Sequence, residues 1–213
     1  MDDNRKYEKE LNSKNITIIG GVDEVGRGPL LGSVVAACVV LPQDFVLEGL
    51  TDSKKLSEKK RDMYYDLIMS NALAVGIGRV DEKVIDQVNI YEATKMAMVM
   101  AIDEVKKQVD LEHVLIDAMP LELDIPTTSI VKGDLKSISI SAASVIAKVT
   151  RDREMYELDK KYPMYDLANN KGYGTKKHLE AIEKYGIIKE HRLSYAPVFK
   201  HKDHINSNEV TFS

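Results

Sequence analysis

The chain has 213 residues and 23.9 kDa, with 44% hydrophobic and 30% charged residues, which suits one sizeable soluble core and excludes global disorder. Its net charge of −4 and pI near 5.8 argue against a uniformly basic surface, but the average hides an asymmetry. Met1–Val131 holds 15 basic and 23 acidic residues, whereas Lys132–Lys202 holds 15 and 9, so the later part is basic.

The single Cys38 sits in the apolar run Val34–Val40, where it reads as core packing and excludes an internal disulfide. Met1–Glu8 has no apolar region of the secretory kind, and no apolar stretch could span a bilayer without charge or Gly. The expectation is a cytoplasmic protein with no membrane contact and no need to be more than a monomer.

In chain order, residues 1–15 form a polar lead-in, frayed or helical, and 16–200 form the main domain. Ile16–Val22 is β-branched and apolar and predicts a first strand, followed after a Gly/Pro turn by a second over Ser33–Leu41. Ser57 caps a helix through Ser70, and Ala72–Val80 predicts a third strand with Gly76 and Gly78 baring one face. Asp86–Val109 has helical spacing, with Met96, Met98 and Met100 read as core. His113–Ile116 and Thr127–Val131 predict two more strands. Ser139–Lys160 is a long helix, Gly172 and Gly174 bracket a loop at Tyr173, and Thr175 caps a helix to about Tyr185. Residues 201–213 read as a loose tail. The pattern predicts an α/β fold with a mixed five-stranded sheet flanked by helices and a C-terminal helical extension.

Three acidic sites stand at predicted strand ends: Asp23 with Glu24, Asp117, and Asp134. Taken singly, a strand-end Asp is more often a turn-former or helix cap. Brought together, carboxylates repel unless a cation lies among them, and hard oxygen ligands suit Mg²⁺ or Mn²⁺. The residues alone leave both readings open. Gly26-Arg27-Gly28 follows the first acidic pair; glycines let a backbone approach a ligand, and Arg forks onto phosphate. Ser53 and Lys54, with Lys148 and Arg151, add hydroxyl and basic groups that read equally as phosphate contacts or solvated faces. Other chemistries fail. No His-x-x-x-His or Cys-x-x-Cys pair offers a zinc site. Pro29 spoils a dinucleotide fingerprint, and no Walker Gly-Lys-Ser/Thr occurs.

Six ordered blocks resemble the type II ribonuclease H family. They are Gly21-Val22-Asp23-Glu24-Val25-Gly26-Arg27-Gly28-Pro29-Leu30, Asp52-Ser53-Lys54-Lys55-Leu56, Leu115–Met119, Lys132-Gly133-Asp134 through Lys148 to Asp152, Asn170–Thr175, and His191–Pro197. The resemblance covers about Ile16–Val198. It implies a ribonuclease H-like fold and a catalytic set of Asp23, Glu24, Asp117 and Asp134 holding two divalent cations, Mn²⁺ or Mg²⁺. It further implies that Gly26, Arg27 and Gly28 read the ribose 2′-hydroxyl and that Tyr173 stacks at the RNA–DNA junction, with Ser53, Lys54, Lys148 and Arg151 as further substrate contacts. The implied substrates are RNA–DNA hybrids and duplex DNA with embedded ribonucleotides, cut 5′ of the ribonucleotide to leave 3′-hydroxyl and 5′-phosphate ends. The implied roles are ribonucleotide and RNA primer removal. Asn170 departs from the His common in the family, and Leu193 and Tyr195 depart from Arg and Phe. The lead-in is too short for the N-terminal domain of the type III enzymes, and Asp134 is not the Glu they carry. Two rivals remain: a catalytically silent nucleic-acid-binding module of the same fold, and a metal-dependent nucleotide phosphohydrolase.

Overall fold

Val34–Val40 is the most continuously apolar run of the chain, and it forms a strand buried along its whole length, as a strand covered on both faces must be. It is β2 of a sheet in a computed structural model that describes residues 4–46 and 56–206. The elements follow as α1 (Lys6–Asn12), β1 (Ile19–Val25), β2 (Val34–Val40), α2 (Glu58–Asn71), β3 (Ala74–Val80), α3 (Glu82–Val88) and α4 (Ile90–Lys106). Then come β4 (His113–Asp117), β5 (Thr127–Ile130), a 3₁₀ turn (Gly133–Leu135), α5 (Ile138–Lys161), α6 (Leu167–Asn170), α7 (Lys176–Tyr185) and α8 (Ala196–Phe199). No helix among the described residues is long and apolar enough to cross a membrane.

The five strands lie in the order β3-β2-β1-β4-β5, with β1 antiparallel to β2 and parallel to β4, and β4 parallel to β5. The expected mixed five-stranded sheet is therefore present. One face packs Val35, Ala37 and Val39 of β2 against Tyr64 and Ile68 of α2 and Ala142, Val145 and Ile146 of α5. On that face Gly21 admits the start of α5: a Cβ there would lie 2.1 Å from the Ser139 carbonyl carbon. On the other face, Gly76 and Gly78 let β3 reach the α4 backbone, where a Cβ would lie 2.0 Å and 1.9 Å from the Ala101 and Ala97 carbonyl oxygens.

Several boundaries differ from those predicted. β1 begins and ends three residues later, so Asp23 and Glu24 lie inside the strand and not after it. The single helix expected over Asp86–Val109 is two, broken at Asn89, which takes a φ of +73° and caps α4 through Oδ1. Of its methionines only Met98 is core, and Met96 and Met100 are exposed. The lead-in contains α1, whose Glu8 is buried and accepts from the Ser137 hydroxyl at 2.5 Å and the Ser139 amide at 3.1 Å, serving the first turn of α5. Nor is the described part of the tail loose. Ile187 donates to the His204 carbonyl, and its own carbonyl accepts from Asn206.

The described residues fall into two compact units. The first holds the chain through Val25, Val35–Arg79 and Thr94–Val149. The second joins Gly26–Val34 and Val80–Ala93 to the chain from Thr150 onward. Its core is Leu30, Leu31, Tyr162, Tyr165, Leu167, Ile182, Ile187, Ile188 and Val198.

Candidate active site

Parallel pairing of β1 with β4 sets Val22 opposite Ile116, so Asp23, inside β1, and Asp117, the last residue of β4, are the next residues on neighbouring strands. Asp23 also faces Ala37 across β2, which puts it on the face covered by α5. There it takes a hydrogen bond from Ser144 of α5, and its Oδ1 accepts from the Glu24 amide at 2.8 Å. Burial holds the Asp23 carboxyl well above the usual carboxylate range, and the charges of Glu24 and Asp117 raise it further. Asp117 in turn accepts from the Gly133 amide at 2.7 Å. Lys132, with a φ of +56°, turns the chain into the 3₁₀ turn, and buried Asp134 follows Gly133. The Asp134 carbonyl takes the Ser141 hydroxyl, which pins the turn to α5.

Glu24 and Asp117 therefore both act on Asp23 by charge, and the turn carrying Asp134 is tied to Asp117 through one backbone bond. They do not form a closed ligand shell: among the described residues, no group of three or more His, Cys, Asp or Glu is arranged to hold a metal ion as it stands. The donor set itself consists of carboxylate oxygens alone, the chemistry of a hard divalent cation, and a cation would relieve the repulsion that raises Asp23.

The second unit contains the other expected group. Gly26 has a φ of +94°, and a Cβ would lie 2.5 Å from the Arg151 Nε, so only Gly fits. Arg27 and Gly28 are exposed, and a Cβ on Gly28 would lie 3.2 Å from the ring of Tyr173, itself 46% exposed. The structure thus brings Gly28 and Tyr173 together. Asn170 shapes that loop: its Oδ1 accepts from the Gly172 amide, its carbonyl from the Tyr173 amide, and its Nδ2 donates to the Tyr165 carbonyl.

Arg151 is a correction. Expected to contact substrate, it is only 1% exposed, and its guanidinium donates to the carbonyls of Ser33, Lys171 and Leu31. Burial and the nearby Arg192 push it down to about 10. Lys148 is half-buried on α5. Ser53 and Lys54 lie outside the described residues.

Four residues here went unassigned in the sequence reading: Ser144, His178, Arg192 and Tyr195. Ser144 had a signal, since Ser141 and Ser144 are three apart and share a helix face. The others act through buried partners distant in sequence. His191 Nδ1 accepts from the Ile188 amide at 2.9 Å, and His178 Nδ1 lies 2.9 Å from the Tyr173 carbonyl. An amide can only donate and a carbonyl only accept, so with both rings neutral His191 Nε2–H must donate to His178 Nε2, 3.2 Å away.

A model of the ribonuclease HII family matches residues 20–199. The chain belongs to the ribonuclease HII family. Ribonuclease HII of Bacillus mycoides (strain KBAB4) is 58% identical over 193 residues, which are 91% of this chain and 74% of that protein. Among solved structures, ribonuclease H2 from Pyrococcus horikoshii OT3 matches with a TM-score of 0.74 at 24% identity, over 87% of this chain and 97% of that one. Bst-RNase HIII in complex with Mn²⁺ matches with a TM-score of 0.67 at 20% identity, over 87% and 69%. These two likenesses establish the ribonuclease H-like fold. Membership of the family makes this chain a metal-dependent endoribonuclease with ribonuclease H activity.

Proposed function

We propose that this enzyme cuts RNA within RNA–DNA hybrids and on the 5′ side of ribonucleotides embedded in duplex DNA, leaving 3′-hydroxyl and 5′-phosphate ends. The cellular roles that fit are removal of misincorporated ribonucleotides and of RNA primers. The observation that carries the reading is the placement of Asp23 beside Asp117 on neighbouring parallel strands, with Glu24 adding its charge to Asp23.

Asp23, Glu24, Asp117 and Asp134 are the residues that would hold two divalent cations, Mg²⁺ or Mn²⁺. Such a pair supplies activation of the attacking water and stabilisation of the leaving 3′ oxygen. Ser144 orients the Asp23 carboxylate, and the Gly133 amide fixes one oxygen of Asp117. Substrate choice belongs to Gly26, Arg27, Gly28 and Tyr173, whose exposed loop and ring suit a ribose 2′-hydroxyl and the sugar beside it. Lys148, and Ser53 and Lys54 in the segment beyond the described residues, are further candidate contacts to phosphate.

The test offers a hybrid duplex, an all-DNA duplex and a free nucleoside triphosphate side by side with Mg²⁺. Cleavage of the hybrid alone supports the reading. Turnover of the free nucleotide favours a phosphohydrolase, and binding without cleavage favours a silent module.

A further inference from the structure

The carbonyls of Gly26 and Arg27 both turn toward one side chain. Arg192 is fully buried, and its guanidinium donates to the Gly26 carbonyl at 2.6 Å, to Arg27 at 3.0 Å and to Gly32 at 2.8 and 3.0 Å. It also donates to the Tyr195 hydroxyl at 3.0 Å, and that hydroxyl donates to the same Arg27 carbonyl at 2.5 Å. The Arg192 guanidinium lies over the Tyr195 ring at 5.2 Å, so ring and hydroxyl hold it from two directions. The pair is itself anchored: the Asp86 carboxylate on α3 accepts from the amides of Leu193 and Ser194 and from the Ser194 hydroxyl.

A trans peptide unit points its N–H opposite to its carbonyl. Fixing the carbonyls of Gly26 and Arg27 on Arg192 therefore fixes the N–H groups of Arg27 and Gly28 on the opposite side of the loop. Both residues are exposed there. Two adjacent donors with set directions suit the oxygen of a sugar hydroxyl, whereas a loop free to rotate its peptides would present donors and acceptors in turn.

We propose that Arg192 and Tyr195 are positioning residues that lock the peptide planes of the Gly26–Gly28 loop for recognition of a ribose 2′-hydroxyl. This rests on the assignment of that loop as the ribose reader. Both residues act through the loop and do not touch substrate. Tyr195→Phe would keep the ring under Arg192 and lose only the hydroxyl, with its bonds to the Arg27 carbonyl and from Arg192, which makes the conservative variant a direct probe.

The experiment measures KM and kcat for Tyr195→Phe and for the unaltered enzyme on duplex DNA carrying one ribonucleotide, with Mg²⁺ at saturation. Loss of the hydroxyl that holds the Arg27 carbonyl raises KM by about three- to tenfold while kcat stays within about twofold. A merely structural role would reduce the active fraction and so lower kcat alone. Unchanged KM, or a loss carried by kcat, overturns the proposal. Arg192→Lys, which keeps the charge and loses the fork, should raise KM further, with circular dichroism checking that it folds. If the unaltered enzyme fails to cut this duplex at all, the assignment of the loop falls and the positioning role falls with it.

Discussion

The Gly133 amide donates to Asp117 Oδ1 at 2.7 Å, so the carboxylate that ends β4 also fastens the turn carrying Asp134. On its other side Asp117 neighbours Asp23 across the parallel β1–β4 pair and raises its carboxyl. One side chain thus links two acids that are more than a hundred residues apart in the chain.

Removing charge from this cluster should separate activity from stability. Asp23→Asn and Asp134→Asn are each expected to lower cleavage about a hundredfold or more, the scale of losing one preorganised charge-stabilising group. Asp23→Asn also relieves repulsion with Glu24 and Asp117, so its melting temperature should equal or exceed that of the unaltered protein. Retained cleavage in either variant at saturating Mg²⁺ would remove that residue from the catalytic set.

Gly21 tests the packing that brings α5 onto the sheet beneath Asp23. Gly21→Ala drives a methyl into the Ser139–Ile140 backbone, and we expect a loss of about 1–3 kcal/mol or more in urea unfolding. Gly20→Ala meets the movable side chains of Cys38 and Leu111 instead, so it should cost less. Equal costs would mean that α5 does not rest on Gly21 as described.

Arg151 distinguishes a structural guanidinium from a phosphate contact. Arg151→Lys should destabilise the protein by about 2–4 kcal/mol through its lost carbonyl bonds. It should leave the salt dependence of duplex binding unchanged, whereas losing a phosphate contact would lower the slope by about one. A changed slope with unchanged stability would restore the substrate role.

The His178–His191 pair makes stability fall in acid. Burial pushes His191 down to about 3, with His178 adding to it, and burial lowers His178 as well. Both are thus neutral when folded, and each takes up a proton on unfolding below its ordinary value near 6.5. Their contribution is fully present above that value and declines as pH falls below it, for His191 down to about 3. Urea midpoints should be flat above about pH 7 and drop by about pH 4.5, less steeply in a His178→Gln, His191→Gln double variant. Identical slopes in the two proteins would show that the pair does not titrate on unfolding.

Much of this was legible in the sequence because local chemistry carried it. β2 announced itself by an unbroken apolar run, α2 and α7 by Ser57 and Thr175 at their caps, and the bare face of β3 by Gly76 and Gly78, although not that α4 fills it. The acids were visible as strand-end residues, although β1 runs on through both Asp23 and Glu24. What was hidden depends on partners far apart in the chain. Arg151 resembles a surface base until three carbonyls close around it, and Arg192 shows its purpose only when Gly26 and Arg27 are seen turned toward it. Asn89 broke a helix that apolar periodicity alone would have continued, because a left-handed φ leaves no mark on that periodicity.

The central claim, that a carboxylate cluster cuts where a ribose is recognised, is tested most directly on an end-labelled DNA duplex carrying a single ribonucleotide. With Mg²⁺ or Mn²⁺ the account predicts one cut, immediately 5′ of the ribonucleotide, leaving a 3′-hydroxyl and a 5′-phosphate and abolished by EDTA. A cut on the 3′ side, cleavage that survives EDTA, or no cut at all would contradict it.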